Sequence, residues 1–193
     1  MTAQLLTPKA DSKRDFKFTV AQYHLMYETG VFAESDRLEL INGEIKTMSP
    51  IGRKHAACII RLTKLLEQRL GDRILISVQN PICLEDNSEP HPDLAILKPR
   101  DDFYEDALPI AADILLIIEV ADSSLEYDRD TKALLYAKAG IPEMWLFDVN
   151  SKTISGFSQP SSLGYKQLQR YDQGDRLSMQ TFSDMVFDWQ ELF

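Results

Sequence analysis

Five consecutive aliphatic residues, Ile114 to Ile118, run directly into Glu119 and Val120. A short unbroken apolar run marks a strand buried on both faces, because polar and apolar residues alternate only where one face meets water. A second run of this kind, Met144 to Val149 (MWLFDV), lies downstream. Between them Asp128 to Ala139 reads as a helix, closed by Gly140 and Pro142. Buried strands alternating with a helix predict an α/β domain built on a mixed sheet.

The remaining elements are read around that centre. Residues 1–16 are polar and mixed in charge and are expected to form a flexible arm, which leaves 17–193 as one domain. The length of 193 residues agrees with a single domain. Phe18 to Tyr27 predicts a short helix, with Thr19 as its cap and Gly30 as its stop. Asn42-Gly43, set between alternating stretches, predicts a hairpin of Leu38–Ile41 and Glu44–Met48. Ser49-Pro50 reads as a cap followed by a first-turn proline, opening a helix over Ile51–Leu70 that Gly71 ends. At about 100° per residue, Ile51, Cys58, Leu62, Leu65 and Leu66 share one side of it, while Arg53, Lys54, Arg61 and Lys64 form a separate arc. Ile74–Val78, Ile82–Leu84 and Leu94–Leu97 are strand-like. Turns at Pro160–Gly164 and Asp172–Asp175 make the C-terminal part a hairpin plus an edge strand ending in Trp189 and Phe193.

Charge and motif content narrow the functional classes. Lys and Arg number 21 against 30 Asp and Glu, a formal charge of −9. Such a molecule cannot coat nucleic acid broadly, because phosphate binding depends on clustered cations. A local basic strip is still compatible with it. Arg53 to Arg73 carries six basic residues and two acidic ones, and an ordinary solvated helix face accounts for this as readily as phosphate contact does. No apolar run approaches the roughly 18 residues of a membrane span, and the N-terminus lacks a secretory core, so a cytoplasmic protein without a membrane partner is expected. Cys58 and Cys83 read as buried thiols. P-loop, G-x-G-x-x-G, H-E-x-x-H, G-x-S-x-G and C-x-x-C patterns are all absent.

What remains is a set of carboxylates at strand ends. Asp93 follows Pro92 and opens the strand LAIL, and Glu119 closes ILLII. A buried isolated charge is expensive, and two carboxylates brought together repel unless a cation or a shared proton lies between them. A divalent ion explains both positions; the bland alternative is that each lies just outside the sheet in water. Lys132, four residues after Asp128, reads either as half of a helix salt bridge worth about 0.3–0.5 kcal/mol or as a cation reaching back to orient a water nucleophile.

Pro92-Asp93, an apolar strand, and then Glu119-Val120 at the end of the next strand resemble the PD-(D/E)xK nuclease pattern. The segments RLELINGEIKTMSPIGRKH, EPHPDLAIL, LLIIEVADSS and YDRDTKALLYAKAGIPEMWLFDV further resemble the Uma2 family of restriction-endonuclease-like proteins, across nearly all of residues 17–193. The resemblance implies a central mixed sheet flanked by helices and a Mg²⁺-dependent phosphodiesterase site, with Mn²⁺ as a substitute. It implies Asp93 and Glu119 as metal ligands, joined by the backbone carbonyl of Val120, and Glu39 as a further acid binding metal or water. The superfamily lysine normally stands two positions after the second acid, where this chain has Ala121, and Lys132 is expected to replace it. His55 matches a position the family tends to keep. Its helical spacing makes it a core histidine by default and otherwise a contact to the acidic cluster. Tyr136 and Trp145 read as core residues.

The expectation is therefore hydrolysis of nucleic-acid phosphodiesters, with DNA favoured. Asp93 and Glu119 would hold Mg²⁺, Lys132 would orient water, and Arg53, Lys54, Arg61 and Lys64 would contact phosphates. Cutting both strands of a duplex favours a homodimer. Two other readings stay open: a noncatalytic nucleic-acid or protein-binding module on the same fold, and metal-free glycoside hydrolysis by paired carboxylates.

Overall fold

The computed structural model describes residues 16–33 and 35–193. Apart from Phe16, the expected N-terminal arm lies outside the described residues. Helix α1 (Val20–Glu28) starts where the sequence places it. The Thr19 side chain accepts from the Gln22 N–H while Gln22 reaches back to Thr19, closing a capping box. Strands β1 (Leu38–Ile41) and β2 (Glu44–Thr47) pair antiparallel around Asn42 and Gly43, whose φ values of 50° and 76° are those of the expected tight turn.

Helix α2 (Arg53–Leu70) begins later than the Ser49-Pro50 signal predicts, with Gly52 as its cap. A Cβ on Gly52 would lie 2.4 Å from Asp122 Oδ2, so the chain passes Asp122 extended before it can coil. Ile51 is consequently outside the helix and 45% exposed, whereas Cys58, Leu62 and Leu66 are buried as the spacing predicts.

The centre is a six-stranded mixed sheet. In spatial order it runs β3 (Leu75–Val78), β4 (Leu94–Leu97), β5 (Ile114–Ala121), β6 (Glu143–Asp148), β7 (Thr153–Ser158) and β8 (Gln167–Tyr171). Strands β5 and β6 are parallel and their neighbours antiparallel. The parallel pair is joined by a helical crossover formed by α3 (Leu125–Tyr127), a π-turn over Asp128–Lys132 and α4 (Ala133–Lys138).

Each sheet face carries its own core. Leu62, Leu66 and Cys58 of α2 pack with Leu94, Ile96, Leu116, Ile118 and Val120 on one side. Ala133 and Tyr136 of the crossover pack with Ala95, Ile117 and Ala121 on the other. Strand β5 is thus covered on both faces, as its unbroken apolar run requires. Full burial of each such aliphatic side chain contributes about 1.5–3 kcal/mol.

Two expectations are corrected. Ile82–Leu84 is not a strand. The N–H groups of Ile82 and Leu84 turn back onto the carbonyls of Pro90 and Ser88, at 3.0 and 2.8 Å. Both side chains are buried, so the apolar signal reported burial without a ladder. After the expected β7–β8 hairpin, the C-terminus is not an edge strand but a two-stranded ribbon, β9 (Arg176–Ser178) with β10 (Val186–Asp188), followed by helix α5 (Trp189–Leu192). Trp189 and Leu192 are drawn onto the α2 face of the sheet, which a further edge strand could not cover. Among the described residues no helix is long and apolar enough to cross a membrane.

Candidate active site

The β4–β5 register pairs Leu94 with Ile118 and Ala95 with Ile117. Carried one step further, it sets Asp93 opposite Glu119, on the face that Ala95, Ile117 and Ala121 share beneath the crossover. Asp93 Oδ2 accepts the Val120 N–H at 2.8 Å. Its Oδ1 accepts from Gln79 Nε2 at 3.3 Å and lies 3.0 Å from His55 Nε2. His55 is therefore the α2 side chain that reaches the acidic cluster, and its Nδ1 is buried without a hydrogen-bond partner among the described residues.

Glu119 is 2% exposed, and its Oε1 accepts the Tyr136 hydroxyl at 2.6 Å and lies 3.2 Å from Lys132 Nζ. The same ammonium stands 3.3 Å from Glu39 Oε2. Glu39, held on β1, also accepts from the Tyr127 hydroxyl at 3.2 Å and the His91 N–H at 3.3 Å. Among the described residues, the ion pairs of Lys132 are with Glu39 and Glu119 and not with Asp128, the partner that i,i+4 spacing offers. The π-turn widens the helix across residues 128–132 and so breaks that spacing, while Asp128 takes the Ser124 hydroxyl at 2.5 Å instead.

The electrostatics follow from burial. Burial holds the Glu119 carboxyl well above its usual range; Lys132 and the Tyr136 hydroxyl oppose this, while Asp128 and Asp93 add to it. Asp128 is raised for the same first reason. Burial alone would discharge Lys132, but Glu119, Glu39, Asp128 and Asp93 together outweigh it and keep the ammonium charged. One buried cation thus stands among four carboxyl groups, and a further cation would favour their ionised forms. Burial pulls the His91 imidazole down.

The four carboxyl groups, Lys132, His55, His91 and Tyr127 line a cleft of about 330 Å³, with the segment Ser49–Gly52 as a further wall. The carboxyl groups facing it offer oxygen atoms, which suit Mg²⁺, with the His55 and His91 imidazoles beside them. Among the described residues no three acidic, histidine or cysteine side chains converge closely enough to encircle an ion. Mg²⁺ asks for less, because it keeps several waters and is held by one or two carboxylates. Asp93 Oδ2, which accepts the Val120 N–H, retains a second lone pair. The residues present therefore fit such an ion.

The sequence-derived candidates divide cleanly. Asp93, Glu119, Val120, Glu39, Lys132 and His55 all line the cleft. Arg53, Lys54, Arg61 and Lys64 are exposed on α2 and are not among its walls; Lys54 Nζ donates to Asn150 Oδ1 at 3.0 Å. Sequence reasoning missed Asp128 as an acid of the site, and missed Tyr127, Gln79 and the hydrogen bond from Tyr136. The spacing from Asp128 to Lys132 was the available signal for the first. Nothing in the local sequence marks the others. Trp145 and Tyr136 are buried in the two cores, as expected. Both cysteines are free thiols, but only Cys58 is buried, which pushes its thiol up to about 12, while Cys83 is half-buried against expectation.

A mixed sheet flanked by helices, with carboxylates from adjacent strands gathered at one end, places the molecule among restriction-endonuclease-like folds. The chain belongs to the Uma2 family, whose description is "Putative restriction endonuclease" and whose family model matches residues 20–190. Its fold is similar to a crystal structure from Anabaena variabilis ATCC 29413 described as "a putative nuclease belonging to DUF820". The TM-score is 0.70 at 18% identity, covering 86% of this chain and 95% of that one, a likeness of fold. No curated protein matches the chain.

Proposed function

We propose that this protein is a divalent-metal-dependent endonuclease that hydrolyses nucleic-acid phosphodiester bonds, DNA foremost. One observation carries the reading: Lys132, delivered by the crossover, meets Glu119 on the face where Ala121 leaves no lysine of its own. Asp93, Glu119 and the Val120 carbonyl would hold Mg²⁺, which when bound polarises a phosphoryl oxygen and lowers the pKa of a water. Lys132 stays protonated between Glu39 and Glu119, so it can donate a hydrogen bond to an incoming water and offset charge gathering on the phosphate. Glu39 also holds that ammonium, at 3.3 Å. His55, on the cleft wall, and Gln79, outside it, hold the Asp93 carboxylate.

The test is cleavage of supercoiled plasmid and of single-stranded DNA in Mg²⁺, Mn²⁺ or EDTA. Wild type should cut with metal and not in EDTA. Asp93→Ala and Glu119→Gln should lose cutting while retaining wild-type circular dichroism, and Lys132→Ala should slow it about 100-fold or more. Variants of Asp93 and Glu119 that cut like wild type would remove the site assignment. A wild-type protein that cuts nothing with either metal would overturn the nuclease reading and favour a noncatalytic binding module.

A further inference from the structure

A second cavity of about 440 Å³ adjoins the carboxylate cleft, and Arg37, Met48, Ile51 and His91 line both. Its walls differ in kind from the first. Where several carboxyl groups line the cleft, this cavity is lined by Tyr27, Met48, Ile51 and His91 with one acid among the described residues, Asp36. Tyr27 is braced edge-to-face by Tyr23 and Phe32, with ring centroids 5.3 and 5.4 Å away. Its hydroxyl donates to the Asp36 carbonyl at 3.3 Å. An aromatic surface already fixed in this way gives up little rotamer freedom when a planar ring stacks on it.

Two residues couple this cavity to the chemistry. Gln79 lines it, and its backbone N–H donates to the Asp93 carbonyl at 3.1 Å while its side chain reaches the Asp93 carboxylate. Arg37 stands on the shared wall, where Nη1 donates to the Ser49 carbonyl at 2.9 Å. A guanidinium has five donors, so this bond leaves others able to meet a phosphate.

We infer that the second cavity receives an unpaired nucleobase, with its phosphate toward Arg37 and the carboxylate cleft, so that the substrate is single-stranded or locally unpaired nucleic acid. The inference rests on the nuclease reading and names its substrate class. In a duplex the base faces are covered, and a base enters a side cavity only after unstacking. A chain of net charge −9 gains little from two rows of phosphates, and the exposed basic arc of α2 does not line either cavity. Stacking on an aromatic wall supplies affinity that every base shares, since each has a π-face.

The experiment is equilibrium binding in EDTA by fluorescence polarisation. The probes are a labelled thymidine oligomer about a dozen nucleotides long, a sugar-phosphate oligomer of equal length without bases, and a duplex of equal length. The thymidine oligomer should bind about tenfold more tightly than either of the others. Tyr27→Leu should bring the thymidine and baseless affinities together, and so should Ile51→Ala, which changes an exposed side chain and leaves the fold alone. Equal affinity for thymidine and baseless oligomers, tighter binding of the duplex, no measurable binding, or variants indistinguishable from wild type would each overturn the inference. Because no cutting is needed, base-dependent binding by a protein that cleaves nothing would sink the nuclease reading alone. Cleavage without base dependence would sink this one alone.

Discussion

Lys132 is the residue on which the site's electrostatics turn. Its side chain is 7% exposed and its ammonium answers both Glu39 and Glu119. Lys132→Met would keep much of the volume but leave buried carboxylates without their cation, at a cost of about 3–5 kcal/mol. The cost has a definite pH dependence. Burial already holds Glu119 above its ordinary value, and Lys132 opposes that rise, so removing the lysine raises it further. A carboxyl whose folded-state pKa exceeds its unfolded value favours the folded state below the unfolded pKa of about 4.3, and that contribution is lost as pH rises through the folded pKa. The variant should therefore be most destabilised at pH 8 and recover toward wild type on acidification, as read from urea midpoints. A deficit that does not change with pH would contradict the assignment of Lys132 as the buried counter-charge.

Turns and caps set the elements, and the β1–β2 hairpin is where side-chain volume and backbone angle act together. Gly43 has a φ of 76°, and a Cβ there would lie 2.7 Å from Lys17 Cβ. Gly140 has a φ of 83° with nothing among the described residues within 4 Å of that position. Gly140→Ala should cost about 1 kcal/mol, from backbone conformation alone. Gly43→Ala should cost clearly more, because Lys17 and the chain behind it must also move. Chemical denaturation of the two variants side by side checks this, and equal losses would show that the Lys17 contact yields freely. The hairpin also carries Glu39, so Gly43→Ala should perturb the site as well as the stability.

Across the whole molecule, one sheet serves two cores. Leu116 faces α2 and Ile117 faces the crossover, and both are fully buried. Truncation of either to alanine should cost about 2–5 kcal/mol. Because the two residues are neighbours on β5, neither core can be lost without disturbing the other. Tryptophan fluorescence reports the α2 side, where Trp145 and Trp189 lie, while far-UV circular dichroism reports all elements. The two signals should give coincident urea transitions in wild type and in both variants. Separate transitions would show that the two faces unfold independently.

The sequence by itself determined the centre of this protein. Unbroken apolar runs can be satisfied only by strands covered on both faces, Asn42-Gly43 permits only a tight turn, and a carboxylate closing such a run needs a partner. Those local rules marked Asp93 and Glu119, and the family resemblance added Lys132. What the tertiary structure decided was the company they keep. The π-turn turns Lys132 from its helical neighbour Asp128 to Glu39, a residue 93 positions away in the chain. The passage of Gly52 beside Asp122 delays α2 and makes Ser49–Gly52 a cleft wall. Tyr136 hydrogen-bonds a glutamate from within a hydrophobic core, and Ile82 and Leu84 are buried without a ladder. Periodicity records which face of an element is buried. Which long-range partner meets that face depends on packing that no local window contains.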